Sequence, residues 1–308
     1  MAWVWDAPSG VYKDHAMSAN IRKEAAADSQ FMRFARPESG YGKGKGASIT
    51  ITRMLQLPLA GQVSETDRLP TGRPVLNTTS ITTGEWGFKI ETTEFEKNLT
   101  FFDMTNQFQQ MLRDQMRLTM DKMCADAAKL TPYKYIPFST GGVFDTDGTA
   151  STTADVNLNI DDLRQIKDEL SGTLKAPPFR NGRYIGLLST RAARGIKNDP
   201  EYKDWIAPQS STPLINGRLA ATIENIDLYE TNHYNALDND IGSGGVLGEA
   251  VFFGADPYVL ASVDEPELRA GIPTDLGRFR EFGWVGTVGS GLVWETAAQA
   301  RVIHVTSA

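Results

Sequence analysis

Residues 104–130 read MTNQFQQMLRDQMRLTMDKMCADAAKL. Apolar residues recur every three or four positions in this stretch, at Met104, Phe108, Leu112, Met116, Met120, Met123, Ala127 and Leu130. This spacing places them along one side of a helix of about 27 residues, roughly 40 Å long. Thr131 ends the pattern because a residue that precedes proline avoids helical dihedrals. The four methionines leave an adaptable partner surface as an alternative, but an ordinary core face is the preferred interpretation.

Two alternating stretches before this helix predict strands. Residues 47–60 alternate through Ile49, Ile51, Leu55 and Leu57, and a second stretch alternates through Trp86, Phe88 and Ile90. With the turn-rich residues 61–74 between them, they predict one long antiparallel hairpin whose arms have about 14 residues each, or roughly 45 Å. Two strands of this length cannot bury their apolar residues alone. A second copy of the chain is therefore a candidate partner.

The N-terminal region predicts a helix followed by a flexible arm. Residues 14–35 favour a helix that packs on a neighbouring surface, and Pro37 ends it. The sequence GYGKGKG at 40–46 has almost no helix or strand propensity. It predicts a hinge or arm that carries Lys43 and Lys45.

The region after the long helix predicts a mixed α/β lobe and then two more strands. A polar loop at 141–153 precedes this lobe. The expected elements are a helix at 161–170, a buried strand at 184–189, a helix at 190–197, strands at 223–229 and 246–253, and β segments at 279–288 and 292–305 joined at Gly289–Gly291.

Composition excludes several classes of protein. The chain has 308 residues, 41% of them hydrophobic, and a net charge of −7, which is typical of a globular protein of about two domains and not of a disordered one. The acidic balance excludes a wholly basic surface for nucleic acid. A single cysteine excludes an intrachain disulfide and a cysteine zinc cluster. The first residues lack the apolar core of a secretory signal, and we expect no membrane span.

Motifs that could carry chemistry are weak, and we expect no catalytic, metal-binding or cofactor-binding residues. The glycine–lysine segment at 40–46 does not have the spacing of a phosphate-binding loop. Asp145–Gly148 and Asp238–Asp240 start like calcium loops but lack the later ligands, so solvated turns are preferred. Cys124 is interpreted as a buried thiol. His304 is interpreted as a packed histidine that alternates with Trp294 and Val302 on the last strand.

Several long stretches resemble a known family. They are VYKDHAMSANIRKEAAADSQFMRFARPESGYGKGKG, SETDRLPTGRP, EWGFKIETTEFEKNLTFFD, STRAARGIKNDPEYKDW and ELRAGIPTDLGRFREFGWVG. The chain resembles major capsid proteins of tailed bacteriophages with the HK97-like fold, and it is most similar to the family found in N4-like phages. The resemblance covers the chain nearly from end to end.

This resemblance implies an α+β HK97-like capsid fold with four parts. They are an N-terminal arm at 1–46; an extended β-hairpin loop at 47–92; a peripheral domain at 93–154 and 278–308 with a spine helix at 104–130; and an α/β axial domain at 155–277. The tip of the extended loop at 61–74 has no lysine, so we do not expect lysine-mediated crosslinks between subunits there.

The resemblance also implies the function and partners. Many copies would assemble into pentamers and hexamers of an icosahedral head that encloses double-stranded DNA without sequence-specific binding. Portal, scaffold and decoration proteins are expected partners, the host bacterial cytoplasm is the expected place of assembly, and the virion is the expected location. The alternatives are an encapsulin-like compartment shell and a hydrolase or nucleotide enzyme on the central lobe.

Candidate subunit-interface residues follow from the hairpin. Trp and Arg are favoured at interface hot spots, so Trp86, Phe88 and Ile90 are candidates on the strand, and Arg68 and Arg73 are candidates at the tip. Lys43 and Lys45 of the arm complete the set. Packing of Trp86 and Phe88 within their own subunit is the alternative.

Overall fold

A computed structural model describes residues 27–38, 46–63, 65, 68–69, 71–99, 105–202 and 220–308. The start of the predicted helix at 14–35, most of the predicted arm at 40–46, and Met104 lie outside the described residues. The helix prediction is wrong for the part of 14–35 that the structure describes. There, Phe31–Arg33 form one 3-10 turn, and Arg36–Glu38 form strand β1. Phe31 and Phe34 are both buried, so core packing on both sides of the turn overrides helix propensity.

A four-stranded sheet is built from strands that are distant in sequence. Its order is β1, β11 (Val259–Ala270), β12 (Phe279–Gly291) and β4 (Gly84–Thr93). The long strands are antiparallel, with Val259 opposite Gly291 and Phe279 opposite Thr93. A short helix, α1 (Glu94–Leu99), follows β4 directly.

The long helix predicted over 104–130 is confirmed as α2, which spans Thr105–Lys129. It packs on β4, β11 and β12. The residues that it buries include Leu112, Met120, Cys124, Ala125 and Ala128. Leu130, predicted as the last residue of the apolar stripe, lies beyond the helix and is 76% exposed.

The hairpin is shorter than the sequence pattern predicts, and its second strand is not the predicted one. Strand β2 (Ser48–Met54) pairs with β3 (Leu76–Thr82) in a two-stranded antiparallel sheet. The pairing of residues 47–60 with the Trp86–Ile90 stretch is wrong, because that stretch belongs to β4 and pairs with β12. Alternation identifies a strand and its faces, but the partner is decided by long-range packing.

A seven-stranded sheet forms the α/β lobe. Its order is β6 (Val143–Asp145), β5 (Lys134–Ile136), β13 (Val302–Val305), β10 (Ala250–Phe253), β7 (Tyr184–Ser189), β9 (Ile226–Thr231) and β8 (Ala220–Ile223). The buried strand predicted at 184–189 and the predicted helix after it are confirmed as β7 and α4 (Thr190–Asn198).

Both faces of this sheet are covered. On β10, Ala250 and Phe252 pack in one core cluster, while Val251 and Phe253 pack in a second cluster with Cys124 and Phe31. Helix α3 (Ile160–Asp168) contributes to the first cluster. A continuous apolar run in a strand is expected where both faces of a sheet are buried.

Sequence patterns did not predict β11, and they predicted a last strand that is too long. Strand β11 contains Pro266, and its register with β12 shifts between Asp264 and Glu267, which is where a proline is tolerated in a sheet. The predicted β segment at 292–305 is wrong over 292–301, because β12 continues to Gly291 and a 3-10 turn follows at Ala297–Gln299. Only Val302–Val305 form β13.

The sheets draw on segments from both sides of the predicted domain limits. Strands β5, β6 and β13, predicted as peripheral, pair within the seven-stranded sheet, while β11, predicted as axial, pairs with β12. The domain limits therefore remain a proposal. Among the described residues, no helix is both long and apolar enough to cross a membrane.

Candidate subunit interface

Trp86, Phe88 and Ile90 share one face of the four-stranded sheet. Phe88 lies opposite Trp284 in the register, and opposed residues of an antiparallel pair point to the same side. Helix α2 covers the centre of this face, where the buried Trp284 donates its indole N–H to Oε1 of Gln115 at 2.5 Å. The helix leaves the edge strand open, because Trp86 is 42% and Phe88 53% exposed, and Ile90 is half-buried.

The segment between β2 and β3 exposes a second apolar surface. Leu59, for example, is 96% exposed. Arg68 and Arg73 lie in the same segment and are also exposed. The other large apolar side chains exposed on the hairpin are Met54, Leu57, Leu69, Val75 and Leu76. Clusters of exposed apolar side chains of this kind mark protein–protein contacts.

The stem of the hairpin is fixed to its own subunit by one of its faces. Arg53 donates from Nη1 to the Val293 carbonyl at 2.6 Å, and the Thr79 hydroxyl donates to the same oxygen at 3.2 Å. Ile81 packs with Val259 and Val293. The body therefore sets the direction in which the exposed tip of the hairpin projects.

A third exposed apolar site lies in the loop between β11 and β12, and sequence patterns missed it. Ile272 is largely exposed, and Leu276 is fully exposed. Leu276 has a φ of 58° and Asp275 a φ of 52°, a left-handed conformation that costs non-glycine residues energy. An exposed leucine held in a strained turn is therefore a third candidate contact. Its only sequence signal is an apolar residue between glycines and a proline.

Lys43 and Lys45 lie outside the described residues, so their roles stay predictions.

A buried polar cluster surrounds Glu249. Its Oε2 accepts from Lys129 Nζ at 2.8 Å and from the Asp238 backbone N–H at 2.9 Å, and its Oε1 lies 3.2 Å from His304 Nε2. The other ring nitrogen, His304 Nδ1, lies 3.1 Å from Lys134 Nζ. An ammonium group can only donate, so Nδ1 accepts and Nε2 carries the proton of a neutral ring.

The pKa values in this cluster follow from burial and charge. Burial lowers the pKa of His304, and it lowers the pKa of Lys134 to about 8. Burial alone would raise the pKa of Glu249, but contacts with His304 and Lys129 outweigh it and hold that pKa at about 2. The prediction that His304 is a packed histidine on the last strand is confirmed, whereas Trp294 lies outside that strand.

A second buried pair joins His233 to helix α2. His233 Nδ1 lies 3.0 Å from Asp121 Oδ2, and Asp121 Oδ1 accepts from the Met32 backbone N–H. Cys124, one turn further along the helix, is fully buried, and burial raises its pKa to about 12. The prediction of a buried thiol is confirmed. A nucleophile would need a thiolate and access to a substrate, and this thiol has neither.

The carboxylates of the predicted turns cap their own backbone. Asp147 Oδ1 accepts from the Thr149 backbone N–H and hydroxyl, both at 2.9 Å, and Asp145 Oδ2 accepts from the Ser151 N–H at 2.8 Å. The hydrogen bonds from Thr149 lower the pKa of Asp147. Within the described ranges, no group of three or more potential ligands could hold a metal ion.

Comparison of the whole fold with solved structures finds capsid chains of bacteriophages. The head structure of Helicobacter pylori bacteriophage KHP40 aligns with a TM-score of 0.72 and 16% identity, over 96% of this chain and 95% of that chain. The cyanophage Pam1 capsid aligns with a TM-score of 0.74 and 15% identity, over 98% and 99%. The capsid of Ralstonia phage GP4 aligns with a TM-score of 0.69 and 12% identity, over 100% and 99%.

These alignments show the fold. The chain has the α+β, HK97-like fold of phage capsid proteins, and the expected fold class is confirmed. No protein-family model matches the sequence, and a search of curated proteins finds no relative.

Proposed function

We propose that this chain is the major capsid protein of a tailed bacteriophage. Many copies form pentamers and hexamers of an icosahedral head that encloses double-stranded DNA. The observation that carries this proposal is the correspondence of the entire fold with phage capsid chains over 96–100% of this chain. All three comparison structures are phage heads or capsids, which favours this function over an encapsulin-like compartment. The resemblance of the quoted stretches supports a place near the N4-like phages.

The exposed apolar surfaces give this function a mechanism. Residues of the hairpin, β4 and the β11–β12 loop remain in water in a single subunit, and burial stabilises each large apolar side chain by about 1.5–3 kcal/mol. Contacts between different surfaces of identical subunits close into rings, so hairpin and loop contacts of this kind suit hexamers and pentamers. The role is structural and not enzymatic, because the buried His–Asp and His–Glu pairs serve the interior of the fold.

The remaining assignments extend the same proposal. We assign the arm to 1–46, the extended loop to 47–92, the peripheral domain to 93–154 and 278–308, and the axial domain to 155–277. Portal, scaffold and decoration proteins are its expected partners. Assembly takes place in the host bacterial cytoplasm, and the virion is the final location.

Electron microscopy of the expressed chain tests the proposal. The wild-type chain should form closed shells, and the double change Arg68→Glu/Arg73→Glu should prevent them while the circular dichroism of the subunit stays unchanged. The matched control Arg68→Lys/Arg73→Lys keeps both charges and should still assemble. A wild-type chain that stays monomeric under all assembly conditions would contradict the function, and normal shells from the glutamate variant would contradict the interface assignment.

A further inference from the structure

A cleft of about 490 Å³ lies where the loop end of the β2–β3 pair, at Met54, meets the α/β lobe. Met54, Leu174 and Pro177 supply apolar walls, and Lys175 and Arg301 supply cations. No carboxylate is present among the described residues that line the cleft. Its volume lies in the range of specific binding pockets.

Two arginines converge on Trp294 of this cleft: Arg301, which lines it, and Arg53, which is buried behind it. The guanidinium carbon of Arg301 lies 3.9 Å from the centroid of the Trp294 ring, and that of Arg53 lies 6.0 Å from it. Arg53 is buried, and its Nε has no hydrogen-bond partner in the described part of the chain. A buried guanidinium without a carboxylate is costly unless another group compensates it.

The carboxylate that Arg301 contacts, that of Asp256, is shared with a second arginine and does not fully neutralise Arg301. Asp256 Oδ2 lies 3.6 Å from Arg301 Nη1 and 3.2 Å from Arg36 Nη1. Burial lowers the pKa of the Arg301 guanidinium, and Asp256 acts in the opposite direction. The base of the cleft therefore keeps an excess of positive charge.

The rim of the cleft has an unusual backbone. Residues Glu169–Thr173 form a π-helical turn, and Lys175 follows it with a φ of 49°. Both features are rare in non-glycine sequence and concentrate at functional sites. The turn brings the exposed side chain of Lys175 to the rim, opposite the hairpin residues that form the other wall.

We propose that this cleft binds an acidic segment of a second copy of the chain, with a carboxylate between Lys175 and Arg301 and an apolar neighbour against Trp294. The proposal rests on the proposed function, since shells supply the second copy. Charge favours this occupant, because residues 93–308 hold 29 acidic and 20 basic residues. The apolar walls also favour a peptide, since a phosphodiester chain would leave them without contact. The cleft adjoins the hairpin, which exposes the apolar residues of the proposed interface.

Photo-crosslinking identifies the occupant. Gln56 lines the cleft and is exposed, so p-benzoyl-phenylalanine is introduced in its place and particles are assembled from a mixture of ¹⁴N- and ¹⁵N-labelled subunits. Mass spectrometry should find mixed-isotope crosslinks to a peptide that contains Asp or Glu. Crosslinks only to DNA, only within one subunit, or to a peptide without acidic residues would each overturn the proposal.

Charge variants test the electrostatic part. Lys175→Glu should raise the protein concentration needed for assembly about tenfold at physiological salt, since like charges at an interface oppose pairing, and the effect should shrink in 1 M NaCl. Lys175→Arg should assemble normally. Arg194→Glu, an exposed reversal outside the cleft, controls for the change in net charge. Equal effects of the Lys175→Glu and Arg194→Glu variants would overturn the assignment.

The outcomes separate this inference from the proposed function. A wild-type chain that forms no particles would contradict both the proposed function and the cleft assignment. Wild-type particles that give none of the expected crosslinks, or a Lys175→Glu variant that assembles normally, remove only the cleft assignment.

Discussion

Replacement of Glu249 by glutamine should destabilise the subunit strongly and in a pH-dependent way. Glu249 is buried and receives three hydrogen bonds, from Lys129, from His304 and from the Asp238 backbone. Glutamine keeps a similar shape but removes the negative charge. Its amide N–H₂ group also cannot accept from any of these donors. The variant therefore leaves Lys129 in a half-buried position without its carboxylate.

The magnitude follows from the pKa of Glu249. A folded-state pKa of about 2, compared with an ordinary value near 4.5, corresponds to about 3 kcal/mol of stability. Because the folded pKa is depressed, this contribution is complete above pH 4.5 and is lost as the pH falls towards 2. At pH 3 the difference between wild type and variant should shrink to about half of this value. Burial also lowers the pKa of His304, so protonation of the unfolded chain below pH 6.5 is a separate source of acid destabilisation.

Urea unfolding of the unassembled subunit, followed by circular dichroism at pH 7 and pH 3, measures both values. Asp168→Asn serves as the control, because that carboxylate is an exposed partner of Lys167 and surface pairs contribute little. A loss below about 1 kcal/mol at pH 7 would refute the reasoning. A loss of the same size at both pH values would also refute it, since a packing defect alone does not titrate.

Two further predictions concern the interior. Gly286→Ala should destabilise the subunit by about 1–3 kcal/mol, because a Cβ atom there would lie 2.7 Å from Cα of Pro266; Gly61→Ala, which meets no atom within 4 Å, is the control, and similar urea midpoints for both would contradict the contact. Cys124, whose pKa burial raises to about 12, should resist iodoacetamide at pH 8 in the native subunit and react fully in urea, and rapid labelling of the native subunit would contradict its burial.

Local periodicity predicted those helices and strands whose apolar pattern is complete within one stretch of sequence. Helix α2 and strand β7 follow directly from the spacing of their apolar residues, and α4 begins where Ser189 caps it. The resemblance of long stretches predicted the fold class itself. These successes depend on signals that need no knowledge of distant partners.

Local periodicity could not predict which strands pair with each other. β4 alternates as a strand should, but its pairing with β12 depends on residues about 190 positions later. β11 carries Asp264, Glu265, Pro266 and Glu267, which read as a loop, and the shift in register at this point makes the proline acceptable. His233 and Asp121 meet only after folding brings the end of β9 to helix α2, so no sequence spacing could have joined them.

Burial within the subunit decides which exposed surfaces should contribute most to assembly. Trp86 and Phe88 are interface candidates because large aromatic residues are favoured at interfaces. Contacts in their own subunit, however, already bury about half of each. Only the remaining half can still stabilise a contact between subunits, because apolar stabilisation scales with the area removed from water. Leu59 and Leu276 are smaller but almost fully exposed, so nearly all of their burial remains available to a partner. In the proposed shell, the apolar driving force should therefore come more from the segment between β2 and β3 and from the β11–β12 loop than from Trp86 and Phe88 of β4.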